Sequence, residues 1–377
     1  MSPADKPVRI GMLGCGVVGS QVARLLLADT EELSTRAGVK IELARIAVRT
    51  IKPYEGLDPA LFTTDPFSIV NDPEIDLIVE VMGGIEPARE LALLAINNRK
   101  SIVTANKALL ASHGADLFSA AYAKGEDIYY EASVAGAIPI IRPLRDSLAG
   151  DHVVRLMGIV NGTTNYILTK MHEDNREFAD VLKEAQKLGY AEADPTADIE
   201  GYDAAAKAAI LSGLAFHTRV TVDDVYCEGI SKITLEDVAI AKSMDHVIKL
   251  LAISELTPAD EISVRVHPVM IHKSHPLASV RDAFNAVFVE AESAGPLMFY
   301  GRGAGGAPAW RCRIASTASI RPSARSSCRS AGNRRDDFLV VLPPTNPSRR
   351  CPEGRPRRWS ARGRSVVLSE DGGCSRS

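Results

Sequence analysis

Val8-Arg9-Ile10-Gly11-Met12-Leu13-Gly14-Cys15-Gly16-Val17-Val18-Gly19 is an apolar run that ends at once in three glycines spaced G-x-G-x-x-G. Val22, Ala23, Leu25 and Leu26 then recur at helical spacing, so the order is strand, glycine turn, helix. In that order each glycine has a role: Gly14 allows the tight turn, Gly16 lets backbone N–H groups approach a pyrophosphate, and Gly19 lets the helix pack on the strand. The helix N-terminus adds a partial positive charge. Glycines punctuate many turns, so the pattern takes its meaning from the strands and helices downstream of it. Residues 40–48, 76–82, 101–105 and 127–134 read as four further strands, with helical patterns over 86–98 and 108–123 between them. That alternation predicts an α/β domain over residues 1–150, a doubly wound parallel sheet of Rossmann type with right-handed crossovers.

Beyond residue 150 the rhythm changes. Residues 153–160 read as a strand, 163–173, 177–188 and 202–217 as helices, 235–243 as another helix, and 247–253, 261–270, 286–292 and 298–300 as strands. Helices and strands no longer alternate, which predicts an α+β domain over 151–308 with a mixed or antiparallel sheet.

The composition breaks once more near residue 309. Residues 309–377 hold 15 Arg and no Lys, 12 Ser, four of the six Cys, both Trp and five acids, whereas residues 1–308 carry 29 Lys and Arg against 42 acids. An Arg-rich segment is the pattern of a nucleic-acid arm, but such arms mix Lys with Arg and do not concentrate Cys and Trp. This vocabulary is that of a GC-rich gene translated out of frame, so the tail is expected to be irregular or disordered and no nucleic-acid partner is expected. Cys312, Cys328, Cys351 and Cys374 are too widely spaced for a zinc signature. No apolar run approaches the roughly 20 residues of a membrane helix, and no secretory signal precedes the first strand. A cytoplasmic protein without a membrane partner is the expectation.

Several stretches carry candidate chemistry, each beside a plainer reading. Where an acidic residue would bind the ribose 2′-OH of NAD, the second strand ends in Val48-Arg49-Thr50. Arg49 suits a 2′-phosphate or is a solvated surface arginine; the first favours NADP and leaves NAD open. Thr104-Ala105-Asn106-Lys107 lies at the C-terminal end of the fourth strand, where such sheets place ligands. Lys107 is either a surface charge at a helix start or a group that polarises a carbonyl. Glu131, with carbonyls from the Gly-containing turn after it, would suit a hard cation, against an ordinary strand exit. Asn161-Gly162-Thr163-Thr164 opens a helix and is an anion site or simple capping. In Tyr190-Ala191-Glu192-Ala193-Asp194-Pro195, then Asp198, Asp203 and Lys207, the acids Glu192, Asp194, Asp198 and Asp203 span twelve residues, a cluster that a substrate ammonium would relieve. Asp203 and Lys207 form either a plain i,i+4 pair or a half-buried acid/base on an alanine-rich helix.

Taken together, the glycine turn, Val103-Thr104-Ala105-Asn106-Lys107, Glu131-Ala132-Ser133-Val134-Ala135-Gly136, Asn161-Gly162-Thr163-Thr164-Asn165-Tyr166 and Gly189-Tyr190…Asp198…Asp203…Lys207 resemble homoserine dehydrogenase. The likeness runs from about residue 8 to Pro308 and ends in Tyr300-Gly301-Arg302-Gly303-Ala304-Gly305, similar to the family's glycine-rich turn beside the cofactor. The resemblance implies NAD(P)-dependent interconversion of L-homoserine and L-aspartate 4-semialdehyde, on the route to threonine, methionine and isoleucine. It implies Lys207 as proton donor, Lys107 as the second lysine at the reacting oxygen and Asp203 near the reactive end. Glu192 and Asp198 would hold the substrate amino group, and Gly162, Thr163 and Tyr190 would flank its carboxylate. Gly14, Gly16, Val17, Val18, Gly19, Arg49, Thr104, Lys107, Gly303 and Gly305 would line the cofactor. Glu131 with the carbonyls of Val134, Gly136 and Ile138 would form a monovalent cation (Na+) site, and residues 151–308 would also dimerise the chain. The expected arrangement is a pocket between the two halves. After Pro308 the family continues with a helix returning to the first domain and, in many members, an ACT regulatory domain; Ala309-Trp310-Arg311-Cys312 matches neither pattern. No ACT domain is expected in 309–377. The rival expectation is a catalytically impaired, nucleotide-binding product of a frameshifted gene.

Overall fold

A computed structural model describes residues 6–259 and 261–303 and the backbone of two short strands, 359–361 and 364–366. The chain divides into two units after Pro139.

Unit 1, residues 6–139, is built on a six-stranded sheet. Its elements in chain order are β1 (Val8–Leu13), α1 (Val17–Ala28), α2 (Thr30–Ala37), β2 (Ile41–Ala47), β3 (Phe62–Thr63), α3 (Pro66–Val70), β4 (Leu77–Glu80), α4 (Ala88–Asn97), β5 (Ser101–Thr104), α5 (Lys107–Lys124) and β6 (Ile128–Tyr129). The strand order is β3-β2-β1-β4-β5-β6 and every pairing is parallel. The chain therefore leaves β1 in one direction, reaches β3, and returns to build β4 on the other side of β1. With right-handed crossovers, that reversal puts helices on both faces and opens a crevice at the C-terminal ends of β1 and β4. Ile10, Met12, Leu43, Ile46, Leu77 and Val79 from the strands pack with Val22 and Leu26 of α1 in one core cluster.

Two details depart from the sequence pattern. The two-residue β3 extends the sheet beyond the five expected strands. The strand expected over 127–134 pairs only at Ile128 and Tyr129 and then winds into a tight 3-10 turn at Glu131–Ser133. There the Ser133 hydroxyl and N–H both donate to the Tyr130 carbonyl, at 2.6 and 2.9 Å, a local bond that competes with the sheet ladder.

Unit 2, described over residues 140–303, contains β7 (Val153–Ile159), α6 (Gly162–Asp174), α7 (Phe178–Lys187), α8 (Thr196–Ile199), α9 (Tyr202–Ala215), β8 (Tyr226–Cys227), α10 (Leu235–Ser243), β9 (His246–Leu256), β10 (Glu261–His272), β11 (Phe284–Ala291) and β12 (Gly295–Arg302). Strands β12-β11-β7-β9-β10 lie side by side antiparallel, and β8 adds to β10 in parallel. The expected mixed sheet is thus present. Side chains alternate along a strand, so β9 meets different helices on its two faces. Ser254 bonds Ser212 of α9 (2.5 Å), while Lys249 reaches Asn165 and Thr169 of α6.

Two three-residue strands, β13 (Trp359–Ala361) and β14 (Arg364–Val366), pair with each other, and β14 pairs with β10. Apart from them, the expectations of an irregular tail, of a missing returning helix and of no ACT domain fall outside the described residues. Among the described residues no helix is long and apolar enough to cross a membrane.

Candidate active site

In unit 1 the glycine turn joins β1 to α1. Gly14 has φ +102°, and a Cβ there would lie 2.8 Å from the Val81 carbonyl oxygen. A Cβ on Gly19 would collide with the carbonyl oxygen of Gly14. Gly16, by contrast, is exposed and faces open space, and it caps α1 with no side-chain hydrogen bond. The first turn of α1 thus directs backbone N–H groups into an open cradle at the crevice, with Val17 87% exposed beside it. Those features fit a dinucleotide pyrophosphate. Arg49 is exposed two residues beyond the end of β2.

The end of β5 is held by a residue that sequence reasoning passed over. Glu80, the last residue of β4, is fully buried, and its carboxylate accepts from the Thr104 hydroxyl (2.6 Å) and the Met82 N–H (2.9 Å). Thr104 in turn accepts from the Asn106 N–H (3.0 Å), and Asn106 caps α5 through Leu109 N–H (3.1 Å) while its amide donates to the Gly84 carbonyl (2.6 Å). Thr104 is therefore a buried link in a chain of bonds, and exposed Lys107 is the first residue of the helix this chain anchors. The signal was a lone acid inside an apolar run, which a buried strand tolerates only if its carboxylate is paired.

After β6, Glu131 lies in the 3-10 turn, Val134 and Ile138 are buried, and Ala135 and Gly136 take successive left-handed conformations at φ +56° and +59°. Gly303 is buried, and a Cβ there would collide with the Asn285 side chain. Gly305 lies outside the described residues.

In unit 2 one polar cluster gathers residues far apart in sequence. Gly201, at φ +82°, ends the turn of α8 and launches α9, with Asp203 in its first turn and Lys207 one turn on. Asp203 accepts from Lys207 Nζ at 2.6 Å, and the side chains are only 5% and 13% exposed. Lys207 Nζ also donates to the Val160 carbonyl at 2.7 Å, just beyond β7. This is the half-buried arrangement and not a solvated i,i+4 pair. Asn161 donates through Nδ2 to Asp198 (2.7 Å) and Asp203 (3.0 Å), and Thr163 donates through its hydroxyl to the Tyr190 carbonyl (2.7 Å) and Asp198 (3.1 Å).

Both hydroxyls that open α6 are therefore engaged within the protein: Thr164 donates to the Asn161 carbonyl (3.1 Å), and the cap of α6 is the Asn161 side chain, not a threonine. Gly162 is where α6 comes closest to its neighbour, since a Cβ there would lie 2.9 Å from the Ala283 carbonyl oxygen. The exposed Tyr190 ring packs on Tyr166 (centroids 5.0 Å apart), whose hydroxyl donates to Glu184 at 2.5 Å. Burial, and then that carboxylate, push the Tyr166 phenol up to about 12. Glu192 is exposed and does not share the bonds that join Asp198 and Asp203. Asp194 accepts from the Thr196 side chain and from its N–H at 3.1 Å, bonds that hold its carboxyl below the usual range.

A second buried lysine sits in the same unit. Lys249, 3% exposed, donates to Val280 O (2.6 Å), Asn165 Oδ1 (2.8 Å) and Thr169 Oγ1 (3.3 Å). Burial lowers its ammonium to about 8.

Both units match known proteins. The family profile described as homoserine dehydrogenase matches residues 139–310, and that of the homoserine dehydrogenase NAD-binding domain matches residues 14–131. The homoserine dehydrogenase of Corynebacterium glutamicum is 57% identical over 306 residues, 80% of this chain and 69% of the relative. The chain belongs to the homoserine dehydrogenase family. It is accordingly an NAD(P)-dependent oxidoreductase acting on a CH–OH group, an enzyme of amino-acid biosynthesis. The rival reading of an impaired product is not favoured, given curated relatives at 43–57% identity. Among solved structures, a homoserine dehydrogenase from Thiobacillus denitrificans has a TM-score of 0.80 at 47% identity, covering 84% of this chain and 73% of that one. A hyperthermophilic archaeal homoserine dehydrogenase in complex with NADPH has a TM-score of 0.69 at 25% identity, covering 82% and 96%.

Proposed function

We propose that the Asp198–Asn161–Asp203–Lys207 cluster of unit 2 holds L-aspartate 4-semialdehyde or L-homoserine and moves the proton of their interconversion. The observation that carries this reading is the buried contact of Lys207 Nζ with Asp203 and the Val160 carbonyl, at 2.6 and 2.7 Å. A lysine held at both bonds retains a third N–H to offer a reacting oxygen. In the reducing direction Lys207 gives its proton to the alkoxide as it forms, and in the oxidising direction it takes the proton back from the alcohol. When bound, NADPH or NADH would supply the hydride in the reducing direction, and the oxidised nucleotide would accept it in the other.

Lys107 is the second lysine at that oxygen. Asp198 and Glu192 receive the substrate ammonium. Because the hydroxyls of Thr163 and Thr164 are engaged, the substrate carboxylate is left to backbone N–H groups at Gly162 and Thr163, with Tyr190 alongside. Gly14, Gly16, Val17, Val18, Gly19 and Thr104 line the nucleotide, with Gly303 and Gly305 beside it. NADP is the preferred form, because Arg49 replaces the usual acid after β2 and an archaeal relative is known with NADPH. Glu131 with the carbonyls of Val134, Gly136 and Ile138 offers oxygen donors suited to Na+.

Residues 1–150 bind nucleotide in this reading, while 151–308 bind substrate and form a homodimer in the cytoplasm. The test is Lys207→Ala: NADPH oxidation dependent on aspartate semialdehyde should fall by roughly 10²–10⁴-fold with nucleotide affinity kept. Unchanged turnover would remove Lys207 from the proton transfer.

A further inference from the structure

We infer that Asn161 is the positioning residue of the substrate cluster, holding two like-charged carboxylates at a fixed spacing. The inference rests on the reading of Asp198, Asp203 and Lys207 just given. Asn161 lies directly after Val160 at the end of β7 and is 5% exposed. Its Nδ2 donates to Asp198 Oδ1 at 2.7 Å and to Asp203 Oδ2 at 3.0 Å. Its Oδ1 accepts from the Thr164 N–H at 2.9 Å and the Thr164 hydroxyl at 3.1 Å. Both N–H donors of the amide are used, and its oxygen accepts the Thr164 N–H and shares the one Thr164 hydroxyl proton with the Asn161 main-chain carbonyl. The environment also fixes which end is which, because the nitrogen faces two carboxylates and the oxygen faces a backbone N–H.

Asp203 is buried and Asp198 half-buried, and two carboxylates reached by one amide nitrogen repel each other. A lysine or arginine between them would remove the repulsion and cancel the negative charge that draws a substrate ammonium. A neutral amide bridges them and leaves that charge intact: Asp198, Asp203 and Lys207 together keep one net negative charge. The neighbouring residue completes the arrangement, since the Val160 carbonyl holds Lys207 Nζ at 2.7 Å. The dipeptide Val160-Asn161 thus sets the proton donor through its main chain and both acids through its side chain. Other charged groups on surrounding elements include Glu192 and Asp194 on the loop before α8, Glu200 at the C-cap of α8, and Arg281 and Asp282 beside the Ala283 segment that meets Gly162.

Asn161 also caps α6, so the test uses replacements that keep the cap. Serine and aspartate both offer an N-cap oxygen to the Thr164 N–H, and neither has the amide's two donors. Asn161→Ser should raise the KM for aspartate semialdehyde roughly tenfold, the loss expected of a hydrogen bond to a charged group. Its kcat should stay within about threefold, since the Lys207 bonds to Val160 and Asp203 remain, and its KM for NADPH should not move. Asn161→Asp, when protonated, still donates to one carboxylate; once ionised it adds a third charge. Its kcat/KM relative to the parent enzyme should therefore be lower at pH 9 than at pH 6, by about tenfold or more.

Unchanged substrate KM in the serine variant together with a pH-independent ratio in the aspartate variant would overturn the inference. So would a loss shared equally by substrate and NADPH and matched by a lower unfolding midpoint, because Asn161 would then be a helix cap alone. If Lys207→Ala turns over normally, the proton-transfer reading itself has failed; if Lys207→Ala is inactive and both Asn161 variants behave as the parent, only this inference has.

Discussion

The nucleotide turn of unit 1 and the polar cluster of unit 2 are made of opposite materials. The first is built from missing side chains: Gly14 and Gly19 let backbone segments touch, and Gly16 leaves the first N–H groups of α1 without a side-chain cap. In the second, the proposed site is made of side chains drawn together from the end of β7, the start of α6, the turn of α8 and the first turns of α9. A backbone site is compact in sequence, because consecutive residues build it. A side-chain site is dispersed, because each group must arrive from its own element. Mutations should therefore separate nucleotide affinity from chemistry.

The sharpest separation is expected at the ion pair. Asp203→Asn keeps the side-chain shape but removes the charge that holds Lys207, and kcat should fall by roughly 10²–10³-fold while fluorescence titration finds NADPH affinity unchanged. A parallel loss of nucleotide affinity would break the comparison. The dependence of unit 2 on side chains extends to Lys249. Burial holds its ammonium near 8, against the ordinary 10.5. The unfolded chain therefore binds more protons than the folded one between about pH 8 and 10.5, and stability should rise with pH across that window by about 3 kcal/mol from this group. Urea unfolding at pH 7.5 and 10.5 checks this, with Lys249→Met expected to lack the rise. In unit 1, Gly19→Ala drives a methyl into the Gly14 carbonyl and should weaken NADPH binding by roughly 10–100-fold, with little change in the Lys207 chemistry once nucleotide saturates. The smallest effect belongs to Arg49→Ala, which should raise the KM for NADPH by about tenfold and leave that for NADH unaltered. Equal losses with both nucleotides would remove Arg49 from 2′-phosphate recognition.

The same division decides which residues were legible. Gly14, Gly16 and Gly19 could be read from one dodecapeptide, since a turn conformation and a close backbone approach are local demands. The pairing of Asp203 with Lys207 was also within reach, being a single helical turn. Glu80 and Asn161 were not singled out. Glu80 stands out in its segment as a lone acid in an apolar run and Asn161 only as a residue before a helix, and neither segment names the partners 24, 37 and 42 residues away. The anion-site reading of the α6 start shows the converse: two threonine hydroxyls next to a glycine look available in sequence, and the fold engages both.

By itself the amino-acid sequence determined the alternation of strand and helix, the glycine turn and the helical spacing of Asp203 and Lys207, because periodicity and conformational freedom are properties of neighbouring residues. The tertiary structure alone decided that one amide stands between two aspartates, that Lys207 is sheltered from solvent and that Glu80 ties β4 to β5. Those outcomes depend on which elements pack together, and no stretch of chain encodes the distance to a partner it meets only after folding.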